Sequence, residues 1–274
     1  MTNPSIFNTV LVWPIINVLV AVYKGLIFVH FPFALGFSII ILTIIIRFVL
    51  YPLTASQLKA SKKMQDLNPH LTNLKNKHKG DSKTLQQETM KLYKEHGVNP
   101  AAGCLPVIVQ LPIIWGLYSA LQQIVNLKPV VINKIVYFDA LKLSKAWDPN
   151  FFGVSLGSNP SHLISTVGPI ILIIPLLTAL FQFIQSKMMF SKPKTQGALV
   201  KTGEKKNDDF ASAFQSQSMY IFPVMIGFFS WTFPIGLSLY WNTFTIFGIM
   251  QQYRISGLGG LTEWKNKIYG QKTK

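Results

Sequence analysis

The chain alternates between long apolar runs and shorter polar stretches. Crossing the hydrocarbon core of a bilayer takes about 20 apolar residues in a helix. The pattern therefore predicts an all-α integral membrane protein with five transmembrane helices, at approximately 33–53, 101–127, 164–186, 218–233 and 235–252. The last two runs meet at Phe233-Pro234 without a polar loop, which predicts a tight transmembrane hairpin.

The segment before the first run is harder to place. Residues 6–30 are apolar enough to span, but Pro14 interrupts them, and Asn17 and Lys24 are seven residues apart and share a helix face. We predict an amphipathic helix lying on the outer membrane surface within residues 1–32. A sixth span is the alternative.

The largest polar region, residues 56–98, has the pattern of a helical hairpin. Apolar residues recur every three or four positions from Met64 to Leu74, which indicates one helix face. Asn68-Pro69 either kinks that helix or begins its second part, since proline suits the first helical turn. Gly80-Asp81 breaks the helix, and Asp81 is placed to cap a second helix that ends at Gly97 and Pro100. The alternative is a solvated basic loop.

Charge sets the predicted orientation. The chain has 26 Lys and Arg against 10 Asp and Glu, and a net charge of +16. Lysines exceed acids in 54–100, in 187–217 and after 252, whereas 1–32 contains only Lys24. Because basic loops stay in the cytoplasm, we predict an external N-terminus and a short basic cytoplasmic tail at 254–274.

One positive charge lies inside the first apolar run. Arg47 stands five residues before Pro52 among aliphatic and aromatic side chains. A guanidinium in hydrocarbon costs about 3 kcal/mol or more, and it keeps its proton. Two interpretations follow: the side chain reaches the nearer membrane surface as an anchor, or it faces a protein interior or a wet cavity.

The motifs of common enzymes and cofactor sites are missing from the sequence. There is no phosphate-binding loop, dinucleotide motif, metal-ligand cluster or nucleophile–base arrangement, so we predict no enzyme activity, cofactor or metal. The apolar runs contain no acidic residue, which argues against a proton-coupled transporter. They do contain scattered Ser, Thr, Gln and Asn residues, which allow a hydrated concavity in the membrane.

Ordered sequence blocks resemble the YidC family of membrane protein insertases. The resemblance runs in order over 33–253 with matching spacing. Its blocks are Gly36, Thr43, Arg47 and Pro52-Leu53; Met64-Gln65, Asn68-Pro69 and Leu92-Tyr93; Asn99-Pro100, Gly103-Cys104, Pro106, Gln110, Pro112 and Leu117-Tyr118; and Phe233-Pro234, Gly236, Tyr240-Trp241 and Gln251-Gln252.

The resemblance implies a five-helix core at 33–253 that encloses a hydrophilic groove, with a cytoplasmic hairpin and an outer amphipathic helix. By the same resemblance, Arg47, Gln110 and Trp241 line the groove, and Thr43, one turn before Arg47, shares its face. The implied function is a membrane protein insertase or chaperone that uses no covalent catalysis.

The resemblance also implies partners and a location. Nascent membrane proteins and the lipid bilayer are the implied partners, with the Sec translocon, the ribosome and the signal recognition particle pathway as further candidates and no small-molecule substrate. The implied location is a bacterial plasma membrane, with an organelle left open. The alternative functions are a small channel or transporter for an anion, and a Sec-associated assembly factor without insertion activity of its own.

Overall fold

The structure is a computed structural model that describes residues 3–78, 80–99, 111–116, 118–119, 128–189 and 210–262. The described part is mostly helical, with one two-stranded antiparallel sheet. A π-helical stretch at Asn8–Val12 leads into the first helix. The elements are α1 (Trp13–Phe28), α2 (Ala34–Val49), α3 (Tyr51–Asp66), α4 (Asn68–Lys77), α5 (Ser82–Glu95), α6 (Pro129–Ile132), β1 (Asn150–Phe151), β2 (Val154–Ser155), α7 (Pro160–Val167), α8 (Ile173–Met189), α9 (Phe210–Thr232) and α10 (Ile235–Ser256).

Three predicted spans have different bounds in the structure. The first predicted span corresponds to α2, which ends at Val49 rather than Leu53, and α3 begins at Tyr51. Pro52 explains the break, because proline has no N–H for the continuing helix and restricts the residue before it. Gly168, at φ +83°, and Pro169 likewise divide α7 from a 3₁₀ turn at Pro169–Leu172 that leads into α8. Helix α9 begins at Phe210, eight residues before the predicted start.

Within the described residues, length and composition identify two or three candidate spans, and the total of five stays a prediction. In the described part of the chain, Asn8–Phe28 and Pro169–Met189 are long and apolar enough to cross a membrane. Ala34–Val49 and Tyr51–Asp66 form a bent pair that counts as a third span if it is taken as one. Most of the predicted 101–127 span lies outside the described residues.

The described residues divide into two compact units. The first contains α1, α2, the segment between 128 and 168, and the neighbouring parts of α8, α9 and α10. Its core is apolar and includes the fully buried side chains of Ile16, Leu35, Leu156 and Tyr240. The helices of this unit therefore pack through large aliphatic and aromatic side chains.

Helix α1 uses its polar face for contacts with the protein. The Asn17 amide donates to Ile135 O at 3.0 Å, and its Oδ1 accepts the Tyr137 N–H at 2.6 Å. Lys24 Nζ donates to the carbonyls of Ala140 and Lys142. The predicted shared face of Asn17 and Lys24 is thus confirmed. It is covered by residues 128–163, here called the 128–163 segment. Whether α1 lies on the membrane or spans it stays a prediction.

The same segment packs onto the ends of two other helices. The Phe151 ring covers Gly36 of α2 so closely that an added Cβ would lie 2.0 Å from it. The Leu156 and Ser158 carbonyls accept the N–H groups of Gly236 and Ile235, at 2.8 and 3.0 Å. These bonds satisfy amides that the first turn of a helix leaves unpaired. The segment therefore fixes the ends of α2 and α10.

The second unit contains the predicted hairpin. Helix α4 begins at Asn68, and Asp81 caps α5 by accepting the Thr84 N–H at 3.1 Å. Gly97 follows the end of α5 at φ +61°. The predicted break, cap and stop are therefore confirmed. In the same unit, Gln251 donates to Thr54 Oγ1 at 2.8 Å.

Candidate functional site

Arg47 lies in the last turn of α2 and is 4% exposed. A cation at this position interacts favourably with the partial negative charge at the helix C-terminus. The low exposure argues against the interpretation that the side chain simply reaches a membrane surface. Arg47 is therefore a buried charge, and the groups around it decide what it can do.

The partners of Arg47 come from α10. Its Nε donates to the main-chain carbonyl of Phe244 at 3.0 Å, and its Nη2 donates to the same oxygen. The guanidinium carbon lies 3.3 Å from the centre of the Phe244 ring and 5.8 Å from that of Phe247. Phe247 is itself held edge-on by Phe48, with 5.3 Å between ring centroids.

This environment stabilises the charge without cancelling it. No carboxylate pairs with Arg47 in the described part of the chain. A carbonyl dipole and an aromatic face supply only partial negative charge, and cation–π contacts contribute about 2 kcal/mol when they are desolvated. A full positive charge thus remains inside the protein, where a low dielectric strengthens its attraction for an anion.

Thr43 lies one turn before Arg47 on α2. It is completely buried, and its hydroxyl donates to Ile39 O at 2.6 Å within its own helix. This back-bonding is how helical threonines usually satisfy their hydroxyl in apolar surroundings. The hydroxyl oxygen can still accept a hydrogen bond, so a place for Thr43 in a groove stays a prediction.

Trp241 lies on α10, three residues before Phe244, and is half-buried. Its indole Nε1 donates to Gln182 Oε1 of α8 at 3.1 Å. The bond makes Gln182 a neighbour of the predicted site that the family resemblance did not single out. The fourth predicted residue, Gln110, lies outside the described residues.

Helix α10 carries two further buried oxygens within two residues of Phe244 in sequence. Asn242 Oδ1 and Thr245 Oγ1 are buried and have no hydrogen-bond partner among the described residues. Buried polar atoms in proteins are nearly always paired with protein or water. Two such atoms three residues apart on one helix favour a hydrated setting for this face of α10.

A second group of polar residues joins helices and has a structural role. Ser230 Oγ lies 2.8 Å from Ser238 Oγ and 3.1 Å from Thr178 Oγ1, and all three residues are buried. They come from α9, α10 and α8. Interhelical hydroxyl bonds of this kind hold transmembrane helices together. For Thr178 and Ser238 the packing interpretation therefore fits better than a binding role.

The described residues offer no obvious place for a metal ion. Among them, no group of three or more His, Cys, Asp or Glu side chains comes together. The chemistry available around Arg47 is therefore that of a positive charge, aromatic faces, hydroxyls and amides. Groups of these kinds can form hydrogen bonds with polar groups and attract an anion.

Comparisons with known proteins identify a family model and several relatives that match this chain. A family model described as "60Kd inner membrane protein" matches residues 27–258. The "Membrane protein insertase YidC" of Oceanobacillus iheyensis is 34% identical over 259 residues, which are 93% of this chain and 85% of that protein. "Inner membrane protein ALBINO3, chloroplastic" of Arabidopsis thaliana is 34% identical over 247 residues, 86% of this chain and 49% of that protein.

A solved structure shares the fold. It is described as "Active YidC insertase crystal structure with the first transmembrane domain resolved", and it matches with a TM-score of 0.55 and 23% identity. The match covers 91% of this chain and 47% of that chain, so the present chain spans about half the length of that protein and of the Arabidopsis relative. The family match over most of the residues, together with relatives at 34% identity, shows that the chain belongs to the YidC family of membrane protein insertases.

Proposed function

We propose that the protein moves hydrophobic segments of nascent membrane proteins into the bilayer through a hydrophilic groove lined by Arg47, Thr43, Gln110 and Trp241. The observation that carries the proposal is the burial of Arg47 with no carboxylate partner among the described residues. A charge kept in this state attracts an acidic group that arrives on another chain. Membership of an insertase family supplies the class of client.

The groove acts by shortening the polar segment's path through hydrocarbon. A client's external tail is polar, and burying its groups unpaired in an apolar medium costs about 2–7 kcal/mol each. Hydroxyls, amides and water in the groove replace bulk solvent for that tail, and Arg47 adds attraction for its acids. The client's apolar span then moves sideways into lipid. Release is favourable by about 25 cal/mol for each Å² of apolar surface removed from water, and no covalent step is needed.

The rest of the proposed arrangement follows the charge pattern. Residues 33–253 form a core of five spans, with the 56–98 hairpin and the 254–274 tail in the cytoplasm and residues 1–32 outside. The membrane is the bacterial plasma membrane. The basic hairpin receives the nascent chain, and the Sec translocon, the ribosome and the signal recognition particle pathway are the proposed partners on that side.

The test is insertion into liposomes that contain only this protein. The client is a short single-span protein with an acidic external tail, and protease protection measures the inserted fraction. Wild type is compared with Arg47→Ala, with Arg47→Lys and with a matched control, Arg254→Ala, which removes the chain's other, exposed arginine.

We expect Arg47→Ala to lower the insertion rate by about tenfold, since a single charge contact at an intermediate dielectric is worth on the order of 1–4 kcal/mol. Arg47→Lys should keep part of the activity, because it retains charge but loses the planar fork. Full activity of Arg47→Ala would remove Arg47 from the mechanism. Wild type that inserts nothing without Sec would refute independent insertion.

A further inference from the structure

Phe244 supplies two different groups to Arg47. Its carbonyl oxygen accepts from Nε at 3.0 Å and also from Nη2, and its ring lies under the guanidinium, 3.3 Å from the ring centre to the guanidinium carbon. The two helices that meet here are 197 residues apart in sequence. One residue of α10 therefore fixes both an edge and a face of the cation.

The geometry leaves one end of the guanidinium available. Arginine has five N–H donors in a planar fork, and the Phe244 carbonyl occupies the edge formed by Nε and Nη2. The Nη1 amino group has no acceptor among the residues that the structure describes. A carboxylate could therefore approach Nη1 without displacing Phe244.

The surroundings of Phe244 oppose other orientations of the cation. The centre of the Phe247 ring lies 5.8 Å from the guanidinium carbon, and this ring packs against Phe48 of α2. Phe244 packs against the fully buried Tyr240, with 5.7 Å between ring centroids. Arginine side chains have many rotamers, and ordering one before a ligand arrives reduces the entropy lost on binding. The packed rings of Phe244, Phe247 and Tyr240 therefore hold the guanidinium in one orientation before a ligand binds.

We propose that Phe244 is a positioning residue that holds the Arg47 guanidinium through its ring and carbonyl and presents Nη1 to a carboxylate of the client's translocated tail. The proposal rests on the insertion function proposed above. Phe244 of α10 then determines how strongly the protein favours clients with acidic tails.

The test compares two clients that differ only in the tail, one with two aspartates and one with two asparagines, in liposomes containing the full chain. Phe244 is replaced by Leu, by Tyr, and by phenylalanines carrying one, two or three ring fluorines. Fluorination weakens the negative face of the ring while nearly preserving its shape. The matched control is Phe228→Leu, since Phe228 is 61% exposed and lies on α9.

We expect the rate ratio of the acidic to the asparagine client to fall by roughly fivefold in Phe244→Leu. The ratio should fall stepwise with each added fluorine, and it should be retained in Phe244→Tyr and Phe228→Leu. The asparagine client should insert at the same rate throughout. A merely structural ring would not produce the stepwise dependence on fluorine number.

Two results would overturn the assignment. One is a ratio that does not change across the fluorinated series and in Phe244→Leu. The other is an equal loss for both clients, which means that the ring only supports folding. Failure of the proposed function itself is recognised separately, because wild type would then insert neither client or would not distinguish between them.

Discussion

The contact between α1 and the 128–163 segment gives a stability prediction. Asn17 is 6% exposed and is the residue of α1 that bonds across to the main chain near Ile135 and Tyr137. Replacing it with Leu keeps the number and branching of the side-chain heavy atoms but removes every hydrogen bond of the amide. The perturbation therefore tests polar pairing with little change in packing.

The magnitude follows from the three bonds that are lost. Two cross to the loop, at 3.0 Å to Ile135 O and 2.6 Å from Tyr137 N, and the third, at 2.8 Å, goes to Trp13 O in the same helix. A net hydrogen bond is worth about 1 kcal/mol, and an orphaned buried N–H costs a further 1–3 kcal/mol. Three lost bonds and one orphaned N–H together predict that Asn17→Leu lowers the free energy of unfolding by about 4–6 kcal/mol.

Two measurements check this value. Helical circular dichroism during titration from a mild detergent into a denaturing one gives the free energy of unfolding. Hydrogen exchange followed by mass spectrometry reports whether the peptide containing the Tyr137 amide loses protection. The control is Asn8→Leu, because Asn8 bonds only to nearby residues at the start of the chain, with its side chain donating to Asn3 O.

The reasoning fails if Asn17→Leu and Asn8→Leu are equally stable to within about 0.5 kcal/mol, the usual spread of surface substitutions. It also fails if the Tyr137 amide keeps its protection in the variant. Either result would mean that the polar face of α1 is solvated rather than committed to the loop. An amphipathic helix lying freely on the membrane surface would behave in that way.

Two further predictions concern the helix cluster and the hairpin. Ser230→Ala removes two interhelical hydroxyl bonds, and at about 0.6 kcal/mol for each interhelical bond the same unfolding titration should show a loss of about 1 kcal/mol. Thr232→Ala, whose hydroxyl bonds only to its own helix, should show almost none, and equal losses would contradict the assignment. In the hairpin, hydrogen bonds from Thr84 lower the pKa of the Asp81 carboxyl. Its contribution to stability is therefore fully present above the unfolded pKa of about 3.9 and is lost as the pH falls through the folded pKa. The protection factors of the amides in the first turn of α5 should fall over that range in wild type but not in Asp81→Asn. Wild-type protection factors that do not change with pH would contradict the cap.

The sequence was informative where local chemistry decides the conformation. Pro69, Asp81 and Gly97 each act within a few residues of their position, through a fixed φ, a side-chain cap or a left-handed turn. The start of α4, the cap of α5 and the end of the hairpin were therefore predictable. Pro52 carried the same kind of signal, but the long apolar run around it concealed the end of α2.

The sequence alone determined that Arg47 is an unusual charge in a membrane protein, because hydropathy and charge need no partner to be recognised. Only the tertiary structure decided that Phe244 holds that charge, that Gln182 bonds Trp241, and that Asn17 meets the 128–163 segment. Inside apolar runs every face of a helix is equally hydrophobic, so no periodic pattern in the sequence shows which face turns toward the neighbouring helices. Contacts between segments more than 50 residues apart depend on that rotation, and it is settled only when all the helices pack at once.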